Sequence, residues 1–95
     1  MAIAVELNFK GATLDQYDQI LEKMGLTPGG ATPPGAIAHW AAETDDGIHV
    51  VDVWESQEAF DKFSAEQIGP YSAEVGITDP PESRTYEVHS YLTKA

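Results

Sequence analysis

The stretch Val51-Asp52-Val53-Trp54-Glu55-Ser56-Gln57-Glu58-Ala59-Phe60 changes its period halfway along. Up to Trp54 the residues alternate, Val51 and Val53 against Val50, Asp52 and Trp54, which is the period of two of a β-strand. From Ser56 the period becomes helical. Ser56 is an N-cap residue, Ala59, Phe60 and Phe63 form one apolar face, and Glu58 stands four residues before Lys62 as a surface pair. A strand that runs directly into a capped helix sets the pattern for the rest of the chain.

Upstream, Ile48–Glu55 and Ala36–Glu43 are two strands joined at Thr44-Asp45-Asp46-Gly47, a polar turn with an Asp-Gly hairpin signal. The acids Glu43, Asp45 and Asp46 lack the spacing of a calcium loop and read as a solvated turn. Ala2–Phe9 is a further strand, with Ile3, Val5, Leu7 and Phe9 on one side and Ala2, Ala4, Glu6 and Asn8 on the other. Thr13-Leu14-Asp15-Gln16 forms a capping box, followed by the stripe Leu14, Tyr17, Ile20, Leu21 and Met24, and closed by Gly25. Leu26–Gly35, with three Pro and three Gly, is a loop that serves as a stiff connection or as the rim of a pocket. Downstream, Gly69-Pro70 interrupts the second helix and opens a short further one ending at Gly76. Asp79-Pro80-Pro81 makes a turn, and Thr85–Thr93 is a last strand.

The order strand, helix, strand, strand, helix, strand fits one domain over residues 1–95. With right-handed crossovers it folds as a ferredoxin-like βαββαβ unit, a four-stranded antiparallel sheet with both helices on one face. Several strands are apolar on both sides, and a second copy packing sheet to sheet, a homodimer, is the expected cover for the bare face.

Composition sets limits on function. Five Lys+Arg against sixteen Asp+Glu, a net charge of −11, offer no basic face for nucleic acid or an anionic membrane. Most of the acids fall on polar helix faces and act as a solvated coat. Zero Cys excludes disulfides, thiolate zinc sites and thiol nucleophiles. The N-terminus has no basic, apolar leader and no stretch is long enough to span a bilayer, so a cytoplasmic location is expected. No Gly-rich phosphate loop follows a strand, and neutral or weakly polar aromatic ligands suit the chain better than nucleotides.

If the Thr44–Gly47 loop is even in length, His39 lies opposite Asp52 and Ile37 opposite Trp54. His39, Asp52 and Trp54 then project from one face of two neighbouring strands. A carboxylate beside an imidazole fixes its tautomer, as a general base or acid requires, and the same pair also forms as a structural cross-strand contact. A histidine metal site would need His49 and His89 to join His39, and His49 falls on the other face, so no metal is expected.

The run from Val51 to Phe60 resembles the W-x-S-x-E-A-F junction between third strand and second helix in the antibiotic-biosynthesis-monooxygenase type of dimeric α/β barrel. Length and element order agree over nearly the whole chain. The resemblance implies sheet-to-sheet dimers, a ligand cleft between each sheet and its own helices, and cofactor-independent oxidation of aromatic polyketides or haem degradation in some members. Trp54 matches the pocket tryptophan of quinone-forming members, whereas their Asn and Tyr correspond to Val50 and Phe60. Of the haem-degrading set, Asn8 is near the Asn, Phe63 stands for the Trp, and no His lies between Asp52 and Arg84.

By analogy with that cleft, His39 and Asp52 are the candidate catalytic residues. Trp54, Tyr17, Phe60, Phe63, Asn8 and Glu6 are the candidate ligand contacts, with Val5 and Leu7 turned to the dimer seam. No cofactor is expected. A cofactor-independent monooxygenase, a non-catalytic ligand-binding or regulatory module, and a purely structural dimer are the three readings left open.

Overall fold

The computed structural model describes residues 1–93. Its elements are β1 (Ile3–Lys10), α1 (Leu14–Met24), β2 (Ala36–Thr44), β3 (Gly47–Trp54), α2 (Gln57–Phe63), a π-helical segment (Ser64–Ile68), α3 (Gly69–Glu74) and β4 (Glu82–Glu87). The strands form one antiparallel sheet in the order β2-β3-β1-β4, the ferredoxin-like arrangement expected from the element order.

Local chemistry sets the ends of α1. Gln16 N–H donates to Thr13 Oγ1 at 3.2 Å and Thr13 N–H donates back to Gln16 Oε1 at 3.0 Å, the reciprocal capping box. Gly25 ends the helix at φ 74°, where a side chain would be strained. The β2–β3 hairpin closes on two residues, Asp45 and Asp46, with Thr44 opposite Gly47. Gly47 is obligatory there for a tertiary reason. A Cβ at that position would fall 2.0 Å from the Phe9 carbonyl oxygen of β1.

The even turn delivers the expected register at one point and departs from it at another. His39 pairs with Asp52, but Ala36 rather than Ile37 pairs with Trp54, because Ile37 is the extra residue of an irregularity between Ala36 and Ala38. Such a bulge kinks a strand at a sheet edge, which is where β2 lies.

The core lies between sheet and helices. Ile3, Val5 and Leu7 of β1 and Ile48, Val50 and Trp54 of β3 are buried together with Phe60 of α2. Val5 and Leu7 therefore face the helices. Glu6 and Asn8, paired with Val51 and His49, face the other side. This corrects the facing assigned to the first strand by analogy. The strand is apolar on both sides near its start, and pairing with β3 decides which side is buried.

The last strand also differs from expectation. It spans Glu82–Glu87 rather than Thr85–Thr93, pairing Tyr86 with Ala4 and Ser83 with Leu7. Chain pairing ends just after it, where Val88 N–H donates to the Ala2 carbonyl at 3.0 Å.

Gly69-Pro70 opens a short further helix, as expected, but the chain reaches it through a π-helical turn rather than a break. Pro70 cannot donate to a carbonyl four residues back, and its ring would crowd that group in a regular α-helix. The π segment widens the turn before it, with Gly69 N–H donating to the Ser64 carbonyl, and α3 continues with Pro70 in its first turn. No helix among the described residues is long and apolar enough to cross a membrane.

Candidate functional site

Helix α1 carries a clear apolar stripe, yet none of its residues is buried. The stripe faces a cavity of about 360 Å³ between α1 and the sheet. Tyr17, Ile20 and Met24 line it from the helix, Leu7 and Val50 from the sheet, and Phe63 from α2. The loop residues 26–33 also line it, so the Pro/Gly-rich segment serves as the pocket rim. The volume is within the range of small-molecule sites, ~300–1,000 Å³.

At the β2–β3 end of this apolar space lies a connected set of polar side chains. Asp52 is 5% exposed, and each of its oxygens has a partner. Oδ1 lies 2.5 Å from His39 Nδ1, and Oδ2 accepts from the Trp54 indole N–H at 3.2 Å. A buried carboxylate is expensive without such partners, and both are supplied by neighbouring positions on one face of β2 and β3. The chain extends across to α1, where the Tyr17 hydroxyl stands 2.6 Å from His39 Nε2. Burial, and then the nearby Asp52 charge, push the Tyr17 phenol above its ordinary pKa of 10.0. Tyr17 is therefore a neutral phenol at physiological pH.

His39, Asp52, Trp54, Tyr17 and Phe63 all border the cavity. Trp54 is only 1% exposed, held between Phe60, edge-on at 5.8 Å between centroids, and Phe63, tilted at 4.9 Å. Phe60 does not reach the cavity and packs behind Trp54 instead, because the helical spacing that brings Phe63 to the wall turns Phe60 into the core. Glu6 and Asn8 are on the outer face of the sheet. There Asn8 Oδ1 lies 2.6 Å from His49 Nδ1, and Trp40 packs on His49 at 5.5 Å between centroids. His39 and His49 thus lie on different faces, and no group of three metal-ligating side chains gathers among the described residues.

Ser72 of α3 is the residue that sequence reasoning missed. It lines the cavity, it is 8% exposed, and its hydroxyl is the one buried side-chain polar atom among the described residues without a hydrogen-bond partner. Nothing in its sequence context marks it, since its facing depends on the π segment before it.

The whole chain aligns with solved structures of one fold. Rv0793 from Mycobacterium tuberculosis is 22% identical with a TM-score of 0.65, over 98% of this chain and 100% of that one. A candidate antibiotic biosynthesis monooxygenase from Chloroflexus aurantiacus is 19% identical with a TM-score of 0.62, over 97% and 98%. The monooxygenase ActVA-Orf6 of Streptomyces coelicolor, in complex with nanaomycin D, is 21% identical with a TM-score of 0.55, over 99% and 92%. The chain has the fold of the antibiotic-biosynthesis-monooxygenase-like proteins. No family model matches the sequence, and no curated protein matches it.

Proposed function

We propose that this chain is one protomer of a cytoplasmic homodimer, and that its cleft binds a small, largely apolar aromatic molecule of polyketide type. In this reading the protein oxidises that molecule with dioxygen and no cofactor. The observation that carries the reading is the Asp52–His39–Tyr17 chain, which ends in the wall of an apolar cavity of about 360 Å³. His39 supplies the base that removes an acidic proton from a phenol or enol, and Asp52 fixes the imidazole and stabilises its protonated form. Trp54 holds Asp52 in turn and borders the ligand beside Phe63. The electron-rich anion formed by deprotonation is itself the reductant. A ring methylene loses two hydrogens and gains one oxygen atom as a carbonyl, and the second oxygen atom leaves as water.

The ligand of ActVA-Orf6, nanaomycin D, supports the substrate class by analogy of fold. The outer face of the sheet supports the dimer. Trp40, 52% exposed, and Tyr86, 44% exposed, flank the half-buried Val51, Val53 and Ala4 on it. Oxygen uptake with a panel of hydroxyanthrones tests the reaction. Turnover that His39→Ala abolishes is the expected result, and full turnover by that variant overturns the base assignment.

One observation favours a second reading, a non-catalytic ligand-binding module. Both nitrogens of His39 are engaged within the protein, so the cleft presents no free imidazole nitrogen. Tight binding of the same hydroxyanthrones without oxygen uptake would decide for it.

A further inference from the structure

His39 has two nitrogens and both have partners. An ionised carboxylate only accepts, so with Asp52 at 2.5 Å the proton of the neutral imidazole resides on Nδ1. Nε2 is then an acceptor, and the Tyr17 hydroxyl at 2.6 Å donates into it. The two rings are within 6° of parallel with their centroids 6.1 Å apart, joined through their edges by this bond. The in-plane lone pair of Nε2 is thereby spent on Tyr17. A phenol oxygen that has donated its own proton still has lone pairs to accept another, and Tyr17 is a cavity-lining residue of α1.

We propose that Tyr17 is the residue that touches the ligand's acidic hydroxyl, and that it relays the proton to His39. This rests on the reading of the cleft as a ligand site and narrows its substrate class to molecules with an ionisable O–H on an apolar ring system. The ligand O–H bond breaks as its proton joins Tyr17 Oη, and the Tyr17 O–H bond breaks as its proton joins His39 Nε2. The products are a ligand oxyanion and an imidazolium held against Asp52, with no electrons transferred. Tyr17 ends the step as it began, a neutral phenol, as its burial favours. The base strength resides on His39 and Asp52, and Tyr17 carries the proton between them and the ligand.

The test uses two probes of like shape, para-nitrophenol and its methyl ether para-nitroanisole, which has no acidic proton. Equilibrium binding of each is measured on the intact protein, and the absorption of bound nitrophenol separates phenol from phenolate. The buffer is held below the probe's own ionisation in water. Wild-type protein is expected to hold nitrophenol as phenolate. Tyr17→Phe is expected to bind nitroanisole within about twofold of wild type and to lower the bound phenolate-to-phenol ratio about tenfold or more, the equivalent of one pKa unit. Unchanged nitroanisole binding shows that the variant is folded. If Tyr17→Phe keeps the phenolate while His39→Gln loses it, His39 meets the ligand directly and the relay is wrong. Nitrophenol bound by wild type as the neutral phenol also overturns the relay, with the cleft reading left standing. Failure of both probes to bind overturns that reading and the relay together.

Discussion

The indole N–H of Trp54 donates to Asp52 Oδ2 across 3.2 Å, from a position two residues further along the same face of β3. A tryptophan that would otherwise offer its edge to a ligand instead fixes the carboxylate that fixes His39. The first consequence concerns stability. Asp52→Ala strips partners from a buried indole N–H and from the imidazole at once. A loss of about 2–4 kcal/mol is expected, from unsatisfied buried donors at about 1–3 kcal/mol each. Urea unfolding measures it. A loss below about 1 kcal/mol would mean that Asp52 is not the organising group.

Tyr17 gives a pH signature. Its folded pKa lies above the unfolded value of 10.0, raised by burial first and by Asp52 next. The stability this contributes is complete below the unfolded value and is lost as pH rises through the folded one. The phenolate absorbance of the folded protein is expected to contain a component that titrates later than in the unfolded chain. Tyr17→Phe removes that component, and Asp52→Asn moves it down. A late component that persists in Tyr17→Phe would assign it to another tyrosine.

Phe60 and Phe63 separate core from cavity wall. Phe60→Ala removes the ring that backs Trp54, and a cost of about 3–5 kcal/mol is expected, as for buried aromatics. Phe63→Ala takes a half-buried ring off the cavity wall, so it costs less stability and alters nitroanisole affinity more. Thermal unfolding and equilibrium binding, run on both variants, check the ordering.

Ser72→Ala removes a buried hydroxyl that has no protein partner. Stability is expected to stay within about 0.5 kcal/mol of wild type or to rise, since no hydrogen bond is lost. A marked loss of stability would show that the hydroxyl has a partner in solution.

The outer face of the sheet yields a prediction about assembly. Trp40→Glu places a charge on the outer face of edge strand β2, at the flank of the proposed seam, and is expected to turn a two-chain mass into a one-chain mass at micromolar concentration. Sedimentation equilibrium reads the difference, and a one-chain mass for wild type overturns the dimer.

The sequence carries the site more legibly than the sheet around it. Parity along two strands and an even turn suffice to bring His39, Asp52 and Trp54 to one face, because a hairpin register is a local property. The Tyr17–His39 bond is not local. It depends on how α1 lies over the sheet, and its one signal is that Tyr17 is the only hydroxyl-bearing residue of the apolar stripe. The facing of β1 was illegible for a different reason. Ala2 and Ala4 opposite Ile3 and Val5 make both sides apolar, and only pairing with β3 resolves them. The early end of β4 and the bulge at Ile37 are set by neighbouring strands, which leave no mark on the residues themselves.

The π segment before α3 amounts to one residue inserted into a helix. Were Ser64–Ile68 to wind as regular α-helix with every residue kept, everything beyond it would turn by roughly 100° around the axis. Ser72 would swing away from the ligand space while the strands kept their pairing, and Pro70 would come to crowd a carbonyl it now clears. The winding of this one turn, at fixed chain length, therefore works as a dial on pocket chemistry. Homologues shorter there by a single residue are expected to run through in regular α-helix and to present the same wall.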